Sequence, residues 1–188
     1  MLNRIKARCA VISLMAIMLS LCSQMSVAYY TTADRATNVV TSGNIQFIIH
    51  ETTDKGQVYP TERVYVLPGQ TVSKQVSIEN DCQHPFYLRV KMVFSVNADQ
   101  LSAENCFKLD IDESAWEYHE GWYYYKDIVD PGETTPYVFT KVEIDKTAVN
   151  SRYRGKTLSL SVVAQAVQSE NNPISEGNTY TASGWPKE

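Results

Sequence analysis

The chain has 188 residues, and its 17 basic and 21 acidic side chains give a net charge of −4. A chain of this length corresponds to one domain, which buries about two-thirds of its surface when it folds. The acidic balance excludes electrostatic attraction to nucleic acid or to anionic membranes as the basis of its function.

The first 28 residues have the layout of a secretory signal peptide. Three basic residues precede an uncharged run over residues 10–21, and the small residue Ala28 follows, as a signal peptidase requires. A run of about a dozen residues is too short for a transmembrane helix, which needs about 20. We therefore expect cleavage between Ala28 and Tyr29 and a product that is secreted, extracellular or at the cell surface, with no membrane span. Loss of the three basic residues takes the net charge from −4 to −7.

Apolar and polar residues alternate with the period of a β-strand over most of residues 44–168. In the longest case, residues 86–96, Phe86, Leu88 and Val90 begin an apolar face and Arg89 lies on the other. Residues 99–104 are the only stretch that favours a helical turn. Strands are predicted at residues 45–49, 72–78, 86–96, 107–111, 116–118, 122–125, 138–144 and 158–166.

Turn signals separate these strands. Pro68-Gly69 and Pro131-Gly132 each predict a type II turn, because proline fixes φ at the first central position and glycine accepts a positive φ at the second. Residues 119–121 predict a hairpin loop between two aromatic strands. Many short strands with frequent turns are typical of an all-β antiparallel sandwich. The pattern alone leaves an immunoglobulin-like sandwich and a jelly roll both open.

These patterns divide the chain into four parts. Residues 1–28 are the signal peptide, and residues 29–43 are an N-terminal segment. Residues 44–168 form a single sandwich domain. Residues 169–188 are polar and lack periodicity, so we expect a mobile C-terminal tail.

Two cysteines, Cys82 and Cys106, remain after cleavage of the leader. An even pair in an exported protein permits one disulfide. The alternative is two separate thiols, because a domain of this size folds without a covalent bridge. The sequence leaves both possibilities open.

The sequence contains no recognisable pattern for catalysis, for a metal or for a cofactor. His50-Glu51 and His119-Glu120 begin like a zinc-protease motif, but neither has a second histidine four residues after the first. Carboxylates between residues 110 and 120 are interpreted as an acidic, solvated hairpin. We expect no enzyme activity, no catalytic residue, no metal site and no cofactor.

Aromatic residues cluster in the predicted hairpin. Trp116, Trp122 and Tyr124 are candidates for a surface that stacks against sugar rings. The alternative is cross-strand packing, in which each aromatic pair stabilises a hairpin by up to about 1 kcal/mol. The hairpin supports one functional hypothesis, a surface module that binds a glycan or a host protein without assembling.

Four segments, in this order, resemble the TasA and camelysin family of proteins secreted by Gram-positive bacteria. They are residues 28–45 around the processing site, 66–80 with the first Pro-Gly turn, 121–135 with the hairpin and second turn, and 158–168 at the last strand. The resemblance implies a jelly-roll sandwich, processing by a SipW-type signal peptidase, and polymerisation into biofilm fibres with copies of itself or related matrix subunits. Camelysin-type members carry a metalloprotease label, which the histidines of this chain do not support.

The same resemblance implies that the N-terminal segment of one subunit adds as a strand to the next. The donor begins at Tyr29, and its candidate residues are Tyr29, Tyr30, Thr31, Thr32, Val39 and Val40. Threonine, tyrosine and valine suit strands, and an open sheet edge offers backbone groups for addition. The alternative is that this segment folds back as an ordinary edge strand or stays disordered.

Overall fold

The computed structural model describes residues 45–186. The expected cleavage site at Ala28 and the candidate donor, residues 29–43, lie outside these residues. Within them, no helix combines the length and the apolar character needed to cross a membrane. The strands are β1 (Phe47–Thr52), β2 (Thr71–Asn80), β3 (Phe86–Val96), β4 (Phe107–Leu109), β5 (Trp116–His119), β6 (Trp122–Tyr125), β7 (Phe139–Ile144) and β8 (Leu158–Gln168), and 3₁₀ turns form at Ser151–Tyr153 and Thr179–Thr181.

These strands form two antiparallel sheets of four strands each. The first sheet has the order β1-β2-β7-β4, and the second sheet has the order β5-β6-β3-β8. The prediction of an all-β antiparallel sandwich is therefore confirmed. The sequence predicted a helical turn only at residues 99–104. These residues contain short non-helical turns instead.

The core lies between the two sheets and is built from alternate strand residues. On β3, Phe86, Leu88 and Val90 are fully buried, and they share one cluster with Ile78 of β2 and Phe139 of β7. Burying a side chain of this size contributes about 1.5–3 kcal/mol. The period-two pattern of the sequence thus places one face of each sheet in a common core.

The Pro-Gly turns form as predicted. Gly69 has a φ of +84° and Gly132 a φ of +76°, in the left-handed region that glycine tolerates without a steric cost. The Gln70 N–H donates to the Leu67 carbonyl at 2.9 Å and closes the first turn. The first turn lies immediately before β2, which begins at Thr71, and the second lies in the connection between β6 and β7.

Residues 169–186, called here the C-terminal strap, fold across the outer face of the second sheet. Ile174, Ala182 and Trp185 of the strap pack against Tyr87 of β3 and Val167 of β8. The expectation of a mobile tail is therefore wrong for these residues. Three apolar side chains in a mostly polar segment are sufficient to dock it, because the outer face of the sheet offers an apolar surface to meet them.

Cys82 and Cys106 lie at opposite ends of the first sheet, and both thiols are free. Cys82 follows the end of β2, whereas Cys106 precedes β4, which pairs with the part of β7 next to the start of β2. The 10 residues of β2 span about 30 Å, and a disulfide requires Cα atoms within about 7 Å. The structure therefore contradicts the possible disulfide, and the two-thiol alternative is correct.

Candidate functional site

β8 is a long edge strand of the second sheet. Its unpaired side, which faces away from β3 in the plane of the sheet, forms the candidate site. β8 pairs with β3 along its whole length, from Leu158 opposite Val96 to Gln168 opposite Phe86, without a bulge. Just beyond its two ends, the Asn97 N–H donates to the Thr157 carbonyl and the Ser169 N–H donates to the Pro85 carbonyl, each at 3.1 Å. These two bonds show which residues of β8 direct their backbone N–H and C=O groups toward β3 and which direct them away.

In this alternation the odd-numbered residues of β8 turn their backbone groups toward β3. The even-numbered residues from Leu158 to Gln168 therefore direct their N–H and C=O groups away from the sheet. In the described part of the chain no strand pairs with this side of β8. Among the hydrogen bonds between residues 45 and 186, only one reaches this side: the Asn172 side-chain amide donates to the carbonyl oxygen of Gln168, the last residue of β8, at 2.9 Å.

The sequence of β8, Leu-Ser-Leu-Ser-Val-Val-Ala-Gln-Ala-Val-Gln, contains neither a charge nor a proline. Edge strands of natural proteins are usually protected by charged side chains, prolines, bulges or shortness, because an open ladder pairs with other chains. None of these four protections is present over the 11 residues of β8. We use the name β8 edge for the unpaired side of residues 158–166, the side that faces away from β3.

The other edges of the described sheets are protected. The outer side of β1 is partly occupied, because the Tyr59 N–H donates to the Glu51 carbonyl at 2.8 Å and Thr52 bridges Val58. The edge strand β4 has 3 residues and β5 has 4. Among the edges that the structure describes, the β8 edge is the one that is both long and open.

Side chains along the β8 edge differ between its two faces. Val162, Ala164 and Ala166 point into the core and are at most 4% exposed. Ser159 and Ser161 point outward and are exposed. A strand added beside β8 would extend both faces of the sheet. On the core face its side chains would lie next to small apolar residues, and on the outer face they would lie next to uncharged serines.

The aromatic hairpin forms as predicted, but its candidate binding residues are not on the surface. Trp116 is 1% exposed and belongs to the main core, where its ring lies 5.3 Å from that of Tyr125. Trp122 and Tyr124 point to the outer face and are each 4% exposed. The rings of Tyr180 and Trp185 in the C-terminal strap pack edge-on against that of Tyr124. The assignment of these three residues to a surface that stacks on sugar rings is therefore wrong.

Arg89 forms the centre of the contact between the strap and the sheet, and it is 5% exposed. Its guanidinium carbon lies 4.2 Å from the centre of the Trp122 ring and 4.9 Å from that of Trp185. Its Nη1 donates to the Tyr124 hydroxyl at 2.9 Å, and its Nε donates to Gln165 Oε1 at 2.9 Å. Aromatic faces and neutral oxygens thus surround this cation.

Neither the β8 edge nor the site of Arg89 is among the predictions made from the sequence. The β8 edge had a readable signal, an uncharged and proline-free run that ends the predicted sheet. Arg89 had a weaker signal, a single arginine inside the most apolar strand of the chain. Its partners could not be inferred, because Pro186, whose carbonyl accepts from Arg89 Nη2 at 3.0 Å, lies 97 residues further along the chain.

The two histidines of the zinc-protease-like fragments are engaged separately. His50 Nε2 lies 2.7 Å from the Glu79 carboxylate, and the His119 ring stacks on that of Tyr180 at 4.2 Å. Within residues 45–186, no three side chains of histidine, cysteine, aspartate or glutamate are grouped to hold a metal ion.

The carboxylates of the acidic stretch act as acceptors for nearby turns and strands. Asp110 accepts hydrogen bonds from the Thr140 hydroxyl and from the backbone N–H groups of Thr140 and Lys141. Partial burial raises the pKa of Asp110, but these hydrogen bonds outweigh it and hold the pKa below its ordinary value. This carboxylate therefore joins β7 to the segment after β4.

Neither a scan against protein-family models nor a search of curated proteins gave a match for this chain.

Proposed function

We propose that the protein is a secreted structural subunit of a bacterial biofilm matrix or cell-surface fibre, and that its copies join by strand addition at the β8 edge. The observation that carries the proposal is an open edge strand, β8, of 11 residues without charge, proline or bulge. An edge of this kind is a template for pairing with another chain. No catalytic chemistry is needed for this function.

Strand addition here is favourable for two physical reasons. An added strand satisfies the outward N–H and C=O groups of the even-numbered β8 residues, and each such hydrogen bond contributes about 0.5–1.5 kcal/mol net. It also covers Leu158 and Leu160, which are only partly buried, and removes their apolar surface from water at about 25 cal/mol per Å².

The proposed donor is the N-terminal segment, residues 29–43, which the resemblance to the TasA and camelysin family assigns to this role. Its 15 residues exceed the 11 of β8, so it is long enough to pair along the whole edge. A SipW-type signal peptidase would free its first residue, Tyr29. A donor and an acceptor at different places on one chain make a head-to-tail contact, which generates an open filament rather than a closed pair.

We propose further that the sandwich is a jelly roll. The chain passes from one sheet to the other between β2 and β3, β3 and β4, β4 and β5, β6 and β7, and β7 and β8. In a closed jelly roll the first strand lies beside the last. Here β1 pairs with β2 instead, so no strand of residues 45–186 takes the position beside β8, where a strand from a neighbouring copy would add.

Electron microscopy of the mature protein, beginning at Tyr29, tests this function. Fibres are expected from the wild type and should be lost from the double variant Ser159→Lys, Ser161→Lys, because both substitutions place charges along the β8 edge. The matched control is Val93→Lys, Ser95→Lys on the adjacent strand β3, since these residues lie directly opposite Ser161 and Ser159.

The control variant should assemble like the wild type. Equal fibre formation by the β8 variant, or a wild-type mature protein that stays monomeric at high concentration, would contradict strand addition at this edge. N-terminal sequencing of the secreted form should return Tyr29 as the first residue.

A further inference from the structure

The C-terminal strap is anchored in a small cluster of its own. Tyr87, Val167, Ile174, Ala182 and Trp185 form this cluster on the outer face of the second sheet. The main core lies on the opposite face and contains none of these residues. The strap can therefore leave the sheet without exposing the core.

A few separate contacts hold the strap, and all of them lie on one patch of the sheet. The Thr179 hydroxyl donates to the Tyr125 carbonyl at 2.7 Å, and Arg89 Nη2 donates to the Pro186 carbonyl at 3.0 Å. The Tyr180 ring stacks on His119 at 4.2 Å. Among the described residues no β-ladder joins the strap to a strand of the sheet.

A short and strained hinge connects the strap to β8. Asn171 has a φ of +65°, in the left-handed region that asparagine adopts more readily than most residues but less readily than glycine. The turn around it is closed by the Asn172 N–H, which donates to the Ser169 carbonyl at 3.3 Å. An extended conformation at this turn would release the positive φ of Asn171.

We propose that the C-terminal strap exchanges between two copies of this chain, so that the strap of each copy packs against Arg89 and Tyr124 of the other. The same contacts form within one chain or between two chains. The equilibrium between the monomer and the exchanged dimer therefore depends on the hinge and on the protein concentration. Short hinges under strain favour such exchange. This exchange uses the outer face of the sheet, not the β8 edge, and it does not depend on the proposed fibre function.

Cross-linking of full-length chains tests the exchange. One preparation carries His119→Cys and the other Tyr180→Cys, and in both of them Cys82 and Cys106 are replaced by serine and alanine. The two are unfolded, mixed, refolded together and treated with a short bismaleimide. Exchange predicts a cross-linked pair with one chain of each kind, in a yield that rises with protein concentration.

Two controls make the result decisive. A single chain carrying both His119→Cys and Tyr180→Cys should cross-link within itself, because the two rings stack at 4.2 Å. A chain with Asp54→Cys, in the exposed turn after β1, should not cross-link to the Tyr180→Cys chain. If the double variant cross-links internally and the mixed sample yields no pair at any concentration, the exchange does not occur.

The hinge supplies a second, independent readout. Asn171→Gly, which accepts a positive φ, should lower the cross-linked fraction about threefold, and Asn171→Ala should raise it about threefold. Equal fractions in the two variants would contradict the role of the hinge. The Ser159→Lys, Ser161→Lys background should leave the fraction unchanged, so failure of the exchange and failure of strand addition are distinguishable.

Discussion

Trp185 of the strap lies over the guanidinium of Arg89, 4.9 Å from the guanidinium carbon to the ring centre. This contact joins the end of the chain to the central strand β3, and it explains how a buried arginine is stabilised. Cation–π contacts of desolvated groups contribute about 2 kcal/mol. Hydrogen bonds to neutral oxygens complete the arrangement.

Replacing Arg89 should destabilise the protein more than a surface substitution does. Arg89→Ala leaves Gln165, the Tyr124 hydroxyl and the Pro186 carbonyl without their donor, so we expect a loss of about 2–4 kcal/mol in the free energy of unfolding. Urea denaturation measures this loss. The matched control, Arg154→Ala at an exposed position, should change the free energy by less than about 0.5 kcal/mol.

Asn80 is a second buried polar residue whose side chain organises a loop. It is 0% exposed, its amide donates to the carbonyls of His84 and Val129 at 3.0 and 2.9 Å, and its oxygen accepts from the Cys82 N–H at 2.9 Å.

Asn80→Ala should therefore lower the free energy of unfolding by about 2–3 kcal/mol, because two carbonyls and one N–H lose their partner. Asn80→Asp should be at least as damaging at neutral pH, since a carboxylate cannot donate to the two carbonyls. Thermal unfolding of both variants checks this, and an Asn80→Asp protein as stable as the wild type would contradict the assigned hydrogen bonds.

Asp145 should make stability depend on pH in the acid range. A hydrogen bond from the Lys108 ammonium, with further bonds from the Thr147 hydroxyl and from the N–H groups of Ala148 and Thr147, holds the pKa of Asp145 well below its ordinary value. A depressed pKa contributes stability that is complete above about pH 4 and is lost as the pH falls through the pKa of the folded protein.

The variant Asp145→Asn should therefore be less stable than the wild type at pH 7, and the difference between them should shrink as the pH falls from 5 toward 2. Urea midpoints at several pH values measure it. The exposed carboxylate Asp99 supplies the control, because Asp99→Asn should leave the midpoint unchanged at pH 7. A constant difference between Asp145→Asn and the wild type across this range would count against the Lys108–Asp145 contact.

The two cysteines should stay reduced and should react at different rates. Cys82 is partly exposed, whereas Cys106 is 1% exposed. A thiol reagent should label Cys82 in the folded protein and label Cys106 only after unfolding. Mass spectrometry of the secreted protein should show no loss of two hydrogens, and a linked Cys82–Cys106 peptide would contradict the separation of the two residues.

The sequence predicted most of the fold because the strands follow a local rule. Alternation over residues 86–96 and 158–166 marks β3 and β8, and the glycine of each Pro-Gly pair marks a turn. These signals lie within a few residues of one another, so they do not depend on how the chain folds at long range.

The errors arose where burial depends on distant segments. Trp122 and Tyr124 face outward, as alternation allows, but Tyr180 and Trp185, which pack against Tyr124, lie 56 and 61 residues after it in the chain. The separation of Cys82 and Cys106 likewise follows from sheet topology rather than from their spacing. The uncharged, proline-free composition of β8 could be read from the sequence, but its place as the edge strand of the second sheet follows from the strand order.

The site of Arg89 also sets an order of folding. Arg89 lies on β3 and its hydrogen-bond partners Tyr124 and Gln165 lie on β6 and β8, so the surface that receives Trp185 does not exist until strands from three separate regions have come together. Contacts of such long range form late, because the chain entropy lost in bringing them together must be offset first. The C-terminal strap is therefore the last part to become resistant to proteases. Proteolytic removal of the strap would identify molecules whose second sheet is incomplete.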